Sequence, residues 1–125
     1  MSINLVNLTG HPIAIYRDDQ IIARFPRSPT PARVNENLTP IEPLHLNGVD
    51  IPRSRVTYTD HATNLPDPQD GTWLIVSRIV AFAHPARADL LFPVHEVRDT
   101  DGRILGCRAF GTATTAHQHP PRQPP

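Results

Sequence analysis

The sequence predicts a β-rich α+β single domain, made of short, mainly antiparallel strands and hairpins with one short helix. Three observations point there. The chain carries 15 prolines in 125 residues, roughly twice the ordinary share. Each removes a backbone N–H and locks φ, which keeps strands and helices short. Two turn dipeptides, Asn47-Gly48 and Asp101-Gly102, sit between short apolar runs, the pattern of tight β-hairpins. A capping serine, Ser77, precedes the one brief stretch with helical spacing. A chain of this length builds one core, not two.

The elements follow in order. Ile3 to Leu8 alternates loosely and reads as a strand, broken by Thr9-Gly10-His11-Pro12. Ile13 to Tyr16 reads as a second strand and Gln20 to Phe25 as a third, turned at Asp18-Asp19. Short strands joined by tight turns predict an antiparallel meander. Pro26 to Pro43 reads as an extended connection, with an edge strand at Ala32-Arg33-Val34. Asn47-Gly48 then joins two three-residue arms, Leu44–Leu46 and Val49–Ile51. Ser54 to Thr59 alternates cleanly, with Val56 and Tyr58 on one face and Arg55, Thr57 and Thr59 on the other.

Residues 64–71 are turn chemistry throughout. Trp73 to Val76 is wholly apolar and predicts a strand buried on both faces. Ser77 caps a helix over Arg78–Ala83, with Ile79, Val80 and Ala83 expected toward the core and Pro85 ending it. Glu96–Asp99 and Arg103–Arg108 flank Thr100-Asp101-Gly102 as the last hairpin. The domain is expected to span residues 1–110. Residues 111–125 hold four prolines and no large apolar side chain, and are expected to be a disordered tail.

Charge excludes one class of function. Twelve basic residues balance twelve acidic ones, so the basic excess of a general nucleic-acid binder is missing. All twelve cations are arginine. A GC-rich coding bias accounts for that; so would a site that recognises carboxylate or phosphate with planar guanidinium forks. The single cysteine, Cys107, cannot form an intramolecular disulfide and reads as a buried thiol. The first residues lack the pattern of a signal peptide, and no apolar run is long enough for a membrane span. A cytoplasmic protein without membrane association is expected.

No phosphate loop, nucleophile elbow, cysteine pair or metalloprotease histidine pair is present. Neither a catalytic set nor a cofactor or metal site is expected; His117 and His119 read as incidental tail histidines. The candidate ligand-binding residues are Asn7, Thr9, His11, Ser77, Arg87 and Asp89. Asn7, Thr9 and His11 crowd one strand end, where they either bind a ligand or satisfy the turn's own backbone. Arg87 and Asp89 bracket Ala88 after a proline break. They either hold the loop together or clamp an anionic group. Ser77 is either a plain N-cap or an added donor to such a group.

Five blocks carry a resemblance: Asn7-Leu8-Thr9-Gly10-His11, residues 65–71 (Leu-Pro-Asp-Pro-Gln-Asp-Gly), Ile75-Val76-Ser77, residues 87–93, and residues 97–108 (Val-Arg-Asp-Thr-Asp-Gly-Arg-Ile-Leu-Gly-Cys-Arg). Over residues 3–110 the chain resembles a family of small uncharacterised proteins of GC-rich bacteria, their phages and prophages. Gly10 departs from that pattern, where proline is common. The resemblance implies a phage-linked or accessory role and brings no activity with it. By analogy of size and setting, it points toward sponges that sequester nucleotide-derived signals.

Three functions compete. The first is a non-catalytic binder of a small anionic or nucleotide-like ligand, which a cleft lined by arginine and an aromatic would favour. The second is a protein-interaction or structural module, which a flat, exposed apolar patch would favour; homo-oligomer formation is left open beside it. The third is a small hydrolase using His11 with Asp89, which requires the two to meet in one cleft.

Overall fold

A computed structural model describes residues 3–113. Eight strands and one helix follow one another in the order β1 (Asn4–Asn7), β2 (Ile13–Arg17), β3 (Gln20–Phe25), β4 (Glu36–Leu46), β5 (Val49–Tyr58), β6 (Thr72–Ile75), α1 (Arg78–Ala83), β7 (Leu90–Arg98) and β8 (Ile104–Gly111). The fold is β-rich α+β. Six strands form one sheet in the order β1-β6-β7-β8-β2-β3, and β4 pairs only with β5.

The expected hairpins are present. β2 and β3 pair antiparallel with Tyr16 opposite Ile21, β7 and β8 with Val97 opposite Gly106, and β4 and β5 with Leu46 opposite Val49. Parallel joints assemble them: β1 lies beside β6, β6 beside β7, and β2 meets β8 at Ile15 and Cys107. The expected meander is therefore corrected at its first strand. β1 does not pair with β2; it lies at the opposite edge of the sheet.

β6 sits second from that edge, with both its faces covered. Leu74 and Val76 face a cluster with Leu8, Val80, Ala81, Leu90 and Phe92. Ile75 faces the other way, onto Ile13 and Cys107, with Leu5, Ile15, Phe25 and Phe110 packed around them. Two covered faces are why this strand is apolar without alternation. Helix α1 closes the first face. Ser77 caps it through a 3.3 Å bond from Val80 N–H to Ser77 Oγ. Its buried residues are Val80 and Ala81, whereas Ile79 is exposed and Ala83 only half-buried. The expected core face was thus turned by about one residue, because a helix of six residues shows too little of its period to locate its apolar stripe. Phe82 and Arg78 both lie against Phe92, at ring-centroid distances of 5.7 and 4.8 Å.

Two further expectations are revised. Pro40, Pro43 and Pro52 do not end strands: the short arms and the separate strand at Ser54–Thr59 are parts of one ribbon, β4–β5. In a two-stranded ribbon half of the N–H groups point away from the partner, so proline costs little at such positions. The domain also runs past residue 110. Gly111 pairs with Phe92 in β8, and Ala113 is buried in the core. Residues 114–125 of the expected tail lie outside the described residues.

Candidate functional site

The candidate residues separate into two places. The first lies at the carboxyl ends of the parallel strands β1 and β6. After β1 the chain turns sharply at Thr9–His11, and Asn7 builds that turn. Its Nδ2 donates to the carbonyls of His11 (2.8 Å) and Pro26 (3.0 Å), and its Oδ1 accepts from Thr9 N–H (2.9 Å) and lies 2.8 Å from Thr9 Oγ1. The amide of Asn7 is buried and fully used, so Asn7 shapes the site and does not face it.

The segment after β3 crosses this turn. Ser28 N–H donates to the Thr9 carbonyl and Ala32 N–H to the Leu8 carbonyl, both at 2.9 Å. Arg33 then exchanges backbone bonds with Thr63 at 3.1 and 2.8 Å, the single bridge that stands where an edge strand was expected. These bonds fix a cleft of about 430 Å³ between the Thr9–His11 turn, residues 31–36 and the start of α1. Thr9, His11 and Ser77 of the candidate set line it, together with Arg33, Asn35 and Glu36. Pro31, Val34 and Ile79 supply apolar wall. No aromatic residue lines it among the described residues.

Arg33 lines the cleft although it was not among the candidate residues. Its guanidinium packs over the turn, with Nη2 3.5 Å from where a Cβ on Gly10 would stand. Among the described residues, neither it nor the exposed imidazole of His11 has a side-chain partner. Nothing local marks Arg33 among twelve arginines; only the bridge to Thr63 and the crossing over Thr9–His11 bring it to the cleft.

Arg87 and Asp89 stand elsewhere. Arg87 Nε and Nη2 bind the two carboxylate oxygens of Asp89 at 2.8 and 2.9 Å, and Nη2 also donates to the Pro66 carbonyl at 3.0 Å. The side chains are only 19% and 7% exposed. This fork ties the 64–71 loop to the start of β7. Asp89 borders a separate hollow of about 140 Å³ with Asn4, Pro66 and Asp67. The arrangement is the loop-holding reading of the pair. It also leaves His11 and Asp89 in different hollows, so they do not form the His–carboxylate pair that a hydrolase would need.

Cys107 is fully buried, and desolvation pushes its thiol above the ordinary range, toward the neutral form. Asp60, on the surface, is held below the usual carboxylate range by its hydrogen bond to His61. Among the described residues no group of three His, Cys, Asp or Glu side chains could hold a metal ion, and no helix is long and apolar enough to cross a membrane. His117 and His119 lie outside the described residues. Comparison with family models, curated proteins and solved structures finds no match for the chain.

Proposed function

We propose that the protein is a non-catalytic cytoplasmic binder of a small anionic ligand, taken up in the cleft between the Thr9–His11 turn, residues 31–36 and α1. One observation carries the reading: Arg33, an arginine without a side-chain partner among the described residues, lines with His11 a cleft whose backbone is already fixed by hydrogen bonds. A guanidinium that no carboxylate engages keeps its donors for a ligand, and its planar fork suits phosphate or carboxylate. Asn35 and Glu36 add groups for hydroxyl or amino substituents, Pro31, Val34 and Ile79 give an apolar seat, and the Thr9 hydroxyl is engaged within its own turn. The mixture fits a nucleotide-derived molecule, whose base would rest on aliphatic surface. A phage-linked accessory or sponge-like role agrees with this reading. Arg87 and Asp89 are not part of the proposed site, because they satisfy one another.

The test is native mass spectrometry of the full chain purified from its host, followed by calorimetry with a panel of mono-, di- and cyclic nucleotides and inorganic phosphate. Arg33→Gln removes a charged hydrogen-bond donor worth about 1.5–3 kcal/mol, so affinity for the best of these probes should fall about 10- to 100-fold. Equal affinity in the wild type, Arg33→Gln and His11→Ala would place the ligand elsewhere and end the proposal.

A further inference from the structure

The β4–β5 ribbon is the least explained part of the molecule. It is 11 and 10 residues long on its two strands, and neither strand packs extensively against any other element. A free two-stranded hairpin is marginal in water, and polar side chains would be expected on one that stays free. This one exposes Leu38, Leu44, Leu46, Val49, Ile51, Val56 and Tyr58.

The register sorts these residues. Opposed residues share a face. Near the root, the pair Leu38–Val56 lies on one face, with Tyr58 beside it and Pro40 next along. Near the tip, the pairs Leu44–Ile51 and Leu46–Val49 lie on the other face. The switch falls at the irregularity between Ile41 and Leu44. Bulges add twist, and two-stranded ribbons already twist more strongly than sheets.

We infer that this arm is a docking surface for a second copy of the chain, the two arms lying antiparallel with the tip patch of each on the root patch of the other. Three observations favour a second copy. The ribbon carries one apolar patch near each end, which lets tip-on-root contacts close on themselves as a twofold interface must, and the change of face between the patches suits arms that twist about one another. The apolar surface in play is roughly 600 Å² per arm, which with its polar border approaches the ~800 Å² per partner of a stable interface. Charge is sparse at the contact: Glu36 borders the root patch opposite Tyr58, Arg53 follows Ile51 on the face of the tip patch, and the whole chain is neutral. Strand-to-strand extension is disfavoured by Pro40, Pro43 and Pro52, which remove N–H groups from the arm. The faces are therefore the sticky surfaces. This inference does not rest on the ligand reading.

Sedimentation of the full chain at about 100 µM tests it. The wild type should sediment at twice the 13.9 kDa chain mass. The tip variant Leu46→Glu/Val49→Glu and the root variant Leu38→Arg/Val56→Arg should each sediment as single chains, their dimerisation weakened at least about 100-fold. Mixed together they should form a heterodimer, in which one contact is native and the other sets glutamates against arginines. Near-UV circular dichroism of Trp73 checks that each body is folded. Should either variant fail that check, Leu46→Ser/Val49→Ser takes the tip's place and Leu38→Ser/Val56→Ser the root's, with monomers expected again. A wild type of single-chain mass, a dimer that survives both changes, or folded charge variants that do not combine would each overturn the inference.

Discussion

Arg87 offers the sharpest separation between a structural and a ligand-binding arginine. Truncating it to alanine would leave the Asp89 carboxylate, 7% exposed, without either of its two charged donors, and would leave the Pro66 carbonyl without its side-chain donor. Breaking a buried ion pair from one side costs ~3–5 kcal/mol. Arg87 is itself 19% exposed, so water can enter the vacated space, and about 2–4 kcal/mol is the expected loss. Arg87→Lys keeps the charge and one carboxylate contact but loses the fork and the reach to Pro66, for about 1.5–2.5 kcal/mol. Because the two residues share one interaction, Arg87→Ala/Asp89→Ala should cost less than the sum of the single changes by about 1–2 kcal/mol. Urea unfolding followed by the fluorescence of Trp73, the one tryptophan, measures the wild type, Arg87→Ala, Arg87→Lys, Asp89→Ala and the double variant. Affinity for the ligand that binds the wild type should be the same in Arg87→Lys. An unchanged urea midpoint for Arg87→Lys, or a loss of affinity without a loss of stability, would refute the reasoning and return the pair to the binding site.

Four other perturbations probe the frame. A Cβ at Gly106 would fall on the Ala14 carbonyl oxygen and within 2.9 Å of Tyr16 Cε1; Gly106→Ala should cost about 3 kcal/mol and selectively raise amide exchange in β2 and β3. Gly102 sits at φ +83° with open space around it, so Gly102→Val should lose about 1–3 kcal/mol through backbone strain alone, read from the urea midpoint. Ser77→Ala removes the acceptor for Val80 N–H and should cost ~1 kcal/mol without unfolding the sheet. Burial raises the Cys107 thiol above its ordinary value near 9.0, so the unfolded chain releases its proton first as pH rises. Stability should hold below pH about 8.5 and fall above it, and Cys107→Ala should flatten that decline in urea titrations from pH 7 to 10.

What the sequence made legible was chemistry settled within a few residues. Gln20–Phe25 and Arg78–Ala83 have the bounds their residues imply, because a turn at Asp18-Asp19 and a cap at Ser77 stop them locally. Asn47 and Gly48 both take positive φ, at 50° and 77°, as a tight primed turn needs. The parts that were not legible depend on partners far along the chain. Asn4–Asn7 gives no sign that it will pair with residues 72–75, and Arg33 owes its place to Thr63. The prolines misled for a different reason. At Pro40, Pro43 and Pro52 they read as strand breaks only if a sheet is assumed on both sides.

The two proposed surfaces differ in the same way. Thr9, His11 and Ser77 were found as candidates because turns and caps announce themselves, yet it is Arg33, with no local signal, that brings a cation to the cleft, where Glu36 also lies. Arg87 and Asp89 were found by the same local reasoning, and their closeness is what removes them: residues two apart in a turn can satisfy each other, and these do so in a bidentate fork. A binding group must hold a position while keeping its donors free, and backbone bonds to other segments are one way to achieve that. Arg33 meets the condition through the Thr63 bridge. The β4–β5 arm meets an analogous one: its ladder satisfies the backbone while seven large apolar side chains stay exposed. In both places the fold has fixed the main chain and left side-chain potential unspent, and that surplus is what an anion in the cleft or a second copy on the arm would use.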